Sequence, residues 1–177
     1  MSLRFGERNG ARRLRVTLAP VALQDSARRT YRAMLTEQIT PVLEEWGFDG
    51  DGERFTYPST VWHLSVGFAP VTWSTVSSHR FDVLVFAAPH EVWRQWRAVE
   101  PSLPERPDPT VYYAHDAAAA GGLKARLGEM GGRRADAHWA VRAGEDPTPV
   151  AAAVLLALQR HVLPAFAGRS EIAGGTV

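Results

Sequence analysis

The stretch YRAMLTEQITPVLEEWGF (residues 31–48), running on into DGDGERFTYPSTVWHLSVGF (49–68), decides the fold. Tyr31, Leu35, Ile39, Val42 and Trp46 recur at helical spacing and form one apolar stripe that must face a core. The helix is expected to start near Asp25 or Ser26, either of which can accept hydrogen bonds from free N–H groups at a helix start. Pro41 removes a backbone donor and predicts a kink or a split at Thr40. Gly47 suits the left-handed position past the helix end, and Phe48 can touch Leu43, the pairing of a Schellman stop.

After the turn Asp49-Gly50-Asp51-Gly52 the period changes from 3.6 to 2. Phe55 and Tyr57, then Trp62, Leu64, Val66 and Phe68, then Phe81, Val83 and Val85 fall on one face of successive strands, with a loop over residues 70–79. A helix over 90–97 would bring Trp93 and Trp96 together. Pro101, Pro104, Pro107 and Pro109 predict an irregular loop beyond it. Short strands are expected at 123–127 and 138–141. A last helix begins with Thr148 as its cap and Pro149 in first position, buries Val150, Val154, Leu158 and Val162, and closes at Pro164 and Gly168.

Strands clustered between two terminal helices predict an α+β fold: a mainly antiparallel sheet with the N-terminal and C-terminal helices packed on one face. The 177 residues, 45% hydrophobic and 22% charged, suit one core. The expected organisation is a basic, flexible arm at residues 1–25, one domain at 26–168 and a tail at 169–177. Residues 1–34 carry eight arginines against Glu7 and Asp25, a charge of +6 that leaves −5 for the rest of a +1 chain. Such an arm could contact nucleic acid or an acidic partner through phosphates or carboxylates, but a solvated tail is the plainer reading and nucleic acid is not the expected partner.

With no cysteine, disulfides, thiolate catalysis and cysteine-ligated zinc are excluded. The longest apolar stretch, 150–158, falls short of the ~20 residues of a membrane helix, and residues 1–20 lack a signal-peptide core. A cytoplasmic location without membrane contact is expected.

A resemblance follows from five motifs in order. A Leu/Pro/Leu-type helix ends in Trp46-Gly47-Phe48. Arg54-Phe55, Arg126-Leu127-Gly128, Asp136 with His138-Trp139, and a final helix ending Val162-Leu163-Pro164 come after it. Over residues 27–166 this resembles the bacterial family catalogued as domain of unknown function 4304. The resemblance implies a fold and no reaction, so it supplies no catalytic residue.

The chemistry must come from the residues themselves. His63-Leu64-Ser65 matches the His-x-Ser/Thr pattern of two-histidine phosphoesterases, in which paired imidazoles act as acid and base on a phosphodiester. His79, His90, His115, His138 and His161 lack Ser or Thr two positions on, so the pattern occurs once and predicts no hydrolysis of phosphodiesters. Asp136 with His138, His115-Asp116 and His90-Glu91 lack recognised metal-ligand spacing, and no metal or cofactor is expected. The glycines at 121–122 and 131–132 lack the Gly-Lys-Ser/Thr ending of a phosphate loop.

Period two also sends Arg54, His63, Ser65, Arg80, Asp82, Lys124, Arg126, His138 and Arg142 to the sheet face away from the core. That face is expected to be open and cationic. The sequence therefore predicts a non-enzymatic binding module for an anionic small molecule or an acidic protein, with a phosphodiester-processing enzyme built on His63 as the alternative. A second histidine converging on His63 in a concave site would favour the enzyme, and an open sheet face the binding module.

Overall fold

The computed structural model describes residues 20–75, 77–134 and 137–171. Helix α1 (Pro20–Met34) leads through a π-helical turn (Leu35–Ile39) into α2 (Thr40–Glu45). The helix thus reaches back to Pro20 rather than starting near Asp25, and the fixed φ of proline suits a first helical turn. Residues 20–25 of the expected arm are helical, and residues 1–19 lie outside the described residues.

Pro41 is absorbed without the split expected at Thr40, because the helix runs on through a π turn. The Thr40 N–H bonds to Leu35 O, five residues back, so the turn before the proline is widened. This adds one residue to the turn and moves the buried stripe to Tyr31, Leu35, Ile39 and Leu43, leaving Val42 and Trp46 half-buried. At the helix end Gly47 has φ +87°. Its N–H bonds Glu44 O at 2.9 Å and the Phe48 N–H bonds Leu43 O at 2.9 Å, the two bonds of a Schellman stop.

Strands β1 (Asp49–Asp51), β2 (Arg54–Tyr57), β3 (Trp62–Pro70) and β4 (Ser78–Pro89) form an antiparallel meander. The run expected only as a turn at 49–52 is partly strand, because Asp49–Asp51 pairs back on Arg54–Thr56 around Gly52. Two short strands share the far edge of β4. β5 (Leu123–Arg126) pairs with residues 84–87 and β6 (Trp139–Arg142) with residues 78–81. The sheet order is β1-β2-β3-β4, then β5 and β6 end to end.

One sheet face carries Phe55, Leu64, Val66, Phe68, Phe81, Val83 and Val85, all buried under α1, α2 and the C-terminal helix. That helix comprises α4 (Thr148–Ala157), a π turn (Leu158–Val162) and α5 (Leu163–Glu171). It does not close at Pro164 or Gly168. The Leu163 N–H bonds Leu158 O, and this widened turn before Pro164 lets the helix pass through the proline as α1–α2 passes through Pro41. Its cap is also revised: Thr148 is the first helical residue, and its backbone N–H donates to Asp146 Oδ1 at 3.0 Å. Hydrogen bonding from the Thr148 side chain, and then from its backbone N–H, holds the Asp146 carboxyl below its ordinary range. Being continuous, residues Thr148–Arg169 are long and apolar enough by length and composition to cross a membrane. Their stripe of Ala151, Val154, Leu158, Val162 and Phe166 is buried on the sheet.

The opposite sheet face is not open, which corrects the sequence expectation. Helix α3 (His90–Val99) and the proline-rich segment after it lie across its middle. Phe86 and Ala88 are buried there with Trp93, Leu103, Tyr113 and Ala117 in a second apolar cluster. Trp93 is 1% exposed, whereas the loop residue Trp73 is 72% exposed. A proline-rich segment has no hydrophobic period, so its covering role is invisible in sequence.

Gly67 shows how closely this cover sits. A Cβ at Gly67 would lie 2.6 Å from Thr110 Cγ2 and 2.8 Å from Pro109 Cγ. Gly67→Val is expected to lift the segment and cost about 1–3 kcal/mol in urea unfolding. An unchanged urea midpoint would show that the segment rides loosely on the sheet.

Candidate active site

The β3–β4 register sets the site. Trp62 opposes Pro89, and the ladder continues one step as the His90 N–H bonds Val61 O at 2.8 Å. His63, on β3, therefore stands diagonally next to His90, the first residue of α3. Their rings are 4.1 Å apart centre to centre. The pair lines a cavity of about 450 Å³ with Ser65, Thr56, Glu105 and Arg106.

Each side chain has a defined state. His90 Nδ1 lies 3.2 Å from Thr60 O. A carbonyl only accepts, so Nδ1 donates to it, and in the neutral ring the lone pair then lies on Nε2. His63 is pushed down to about 4, first by burial and then by the neighbouring His90 and Arg106. It is neutral at pH 7, and the Arg106 guanidinium beside it is a permanent cation. Ser65 is 2% exposed, and its Oγ has no hydrogen-bond partner. Trp93 stands edge-on to His63 at 6.2 Å between ring centres and so backs the pair. A base, a potential acid, a cation and a free hydroxyl thus meet in one concavity.

The cationic residues of this face do not converge. By register Arg54, His63, Ser65, Arg80, Lys124, Arg126 and Arg142 do share it, and His138 joins them through Asp82. The covering segment separates His63 and Ser65 from the rest. Arg54 Nε pairs with Asp108 Oδ2 at 2.8 Å, Arg126 with Asp82 at 3.5 Å, and Arg142 with Glu145 at 3.4 Å. His138 Nδ1 donates to Asp82 Oδ1 at 2.8 Å, and Lys124 Nζ sits 4.3 Å above the exposed Tyr112 ring. The expected array of five cations around one carboxylate is therefore broken up by Asp108, Glu145 and Tyr112.

His90 is weighed in the sequence and set aside on its local pattern, and Arg106 is not among the sequence candidates. The antiparallel register could have signalled His90, since a hairpin aligning Trp62 with Pro89 brings 63 and 90 together. Nothing in the local sequence signals Arg106. Among the described residues no group of three or more His, Asp or Glu could hold a metal, and Asp136 lies outside them.

A pH dependence of stability follows. The ordinary value for His63 and for His79 is 6.5, and both are lowered in the fold. Between the folded and ordinary values the unfolded chain binds more protons, so stability falls as pH drops from about 6.5 toward 4. For His63 this is worth about 1–2 kcal/mol after allowing for solvent screening of a half-buried ring. His63→Gln should flatten that acid limb in urea titrations at neutral and mildly acid pH. Identical acid limbs in the two proteins would contradict it.

Comparison with protein-family models, with curated proteins and with solved structures finds no match to this chain.

Proposed function

We propose that this chain is an acid–base enzyme acting on a cyclic or linear phosphodiester in the His63–His90 cavity. The observation that carries this reading is the pair of imidazoles 4.1 Å apart in a concave site. His90 supplies the second imidazole that the sequence pattern lacks, and it favours hydrolysis over the expectation of none. The likeness to domain of unknown function 4304 implies a fold alone, so the substrate class rests on the cavity.

In the free cavity His63 is neutral. A phosphodiester anion beside the ring favours its cationic form, so substrate binding would draw a proton onto His63. Arg106 attracts the same anion, and Ser65 Oγ can donate to a phosphate oxygen. His90 Nε2 then takes a proton from water as the water oxygen bonds to phosphorus. His63 gives its proton to the departing oxygen as the second P–O bond breaks. A linear diester gives a phosphomonoester and an alcohol, a cyclic one a single phosphomonoester that keeps the freed hydroxyl, and solvent returns each histidine to its starting state.

The test is incubation of the purified chain with 2′,3′-cyclic AMP and with bis(p-nitrophenyl) phosphate between mildly acid and neutral pH. Phosphomonoester formation above the buffer rate is expected from at least one of them. Absence of product from both across that range would overturn the reading.

A further inference from the structure

A second concave site lies on the helix-covered face of the sheet, at the other end of the β3–β4 ribbon. It sits between α1 and the β3–β4 turn, encloses about 190 Å³, and is lined by Arg28, His79, Ser74 and Thr75 among others. His79 is 9% exposed and packs its ring against Tyr31, with centres 4.3 Å apart. Its Nε2 is buried and has no hydrogen-bond partner. A buried polar atom left unpaired costs about 1–3 kcal/mol, which a ligand can recover.

The turn itself offers little else. The Val71 N–H bonds Arg80 O, the Ser74 N–H bonds Val71 O and the Thr75 N–H bonds Ser78 O. Ser74 Oγ already donates to Val71 O and accepts from the Arg80 N–H. The cleft is walled by the His79 ring, with its buried unpaired nitrogen, and by the exposed Arg28 side chain. Arg32, one helical turn along α1, adds positive charge that acts on His79 as Arg28 does.

We propose that this cleft binds a phosphate group between Arg28 and His79. A phosphate accepts from several donors at once, which suits a guanidinium and an imidazole lining one cleft. The cleft has room for about six waters at ~30 Å³ each, enough for one phosphate group with its nearest waters. Free phosphate and the phosphate of a monoester share this chemistry. The site is independent of the His63–His90 cavity, being on the opposite sheet face.

The experiment follows the His79 ring protons by NMR while inorganic phosphate, and separately glycerol 3-phosphate, is titrated into the whole chain. The His79 signal is identified by its loss in His79→Phe, which keeps a ring against Tyr31. A saturable shift with a Kd of about 1 mM or tighter is expected. Arg28→Gln, a change at an exposed position, should weaken binding at least about tenfold. His63→Ala should leave it unaltered even if the first cavity proves to have no activity. Tighter binding of inorganic phosphate would mark the free ion as the ligand, and tighter binding of the monoester would mark a phosphorylated small molecule. No saturable shift with either, equal binding by Arg28→Gln, or the same shift from chloride at matched ionic strength would overturn the proposal.

Discussion

Replacement of His63 by alanine is expected to lower phosphodiester turnover about 10²–10⁴-fold, the usual worth of a positioned acid or base. His90→Gln should do the same. Glutamine can still donate to Thr60 O, as His90 Nδ1 does at 3.2 Å, but it offers no basic nitrogen to the cavity. Because the two rings act as a unit, the double variant should be little slower than the slower single. Both positions are half-buried at the cavity rim, so urea midpoints at neutral pH should stay within about 1 kcal/mol of the parent. That separates a chemical loss from an unfolded one. Turnover that survives in both variants would assign the activity to another site, and the paired imidazoles would then be structural.

Much of the first helix and of the sheet was legible because local rules act there. Gly47 and Phe48 announced their Schellman bonds, since only glycine takes φ +87° cheaply and the hydrophobic partner follows one residue later. Alternation marked the buried members of β2, β3 and β4. Two effects escaped. The π turns before Pro41 and Pro164 add a residue each, so the stripe through Leu43 and the run to Glu171 depart from a simple 3.6 period. The second layer escaped because α3 and the prolines after it take their places through Trp93, Leu103 and Tyr113, contacts between residues distant in sequence. The candidate site divides the same way. His63 and Ser65 were visible as a local pattern, whereas His90 and Arg106 join them only through strand register and the covering segment. The cationic face was read with the correct parity, but parity says nothing of partners such as Asp108, which arrive from a segment without period.

That covering segment depends on one side chain more than any other, and Trp93→Ala is expected to cost about 3–5 kcal/mol. Trp93 is 1% exposed and stands edge-on to Tyr113 at 5.0 Å, Trp96 at 5.9 Å and Phe86 at 6.0 Å. Its indole N–H also donates to Pro104 O at 3.1 Å, tying the first turn of the proline-rich run to α3. Alanine would leave a void walled by rigid rings that cannot collapse into it, and it would free the segment that carries Arg106. Trp93→Phe keeps most of the ring packing but loses the indole bond, for which about 1 kcal/mol is expected. Urea unfolding separates the two magnitudes. Hydrogen exchange at the Leu103 and Val111 amides, bonded to Glu100 O and Asp108 O, reads the segment directly and should quicken in the alanine variant well before global unfolding. Because Trp93 also backs His63, turnover in that variant should fall even where the rest of the sheet stays folded. A loss below about 1 kcal/mol with unaltered exchange at both amides would mean that the prolines hold the cover by themselves, and Arg106 would owe its position to them rather than to α3.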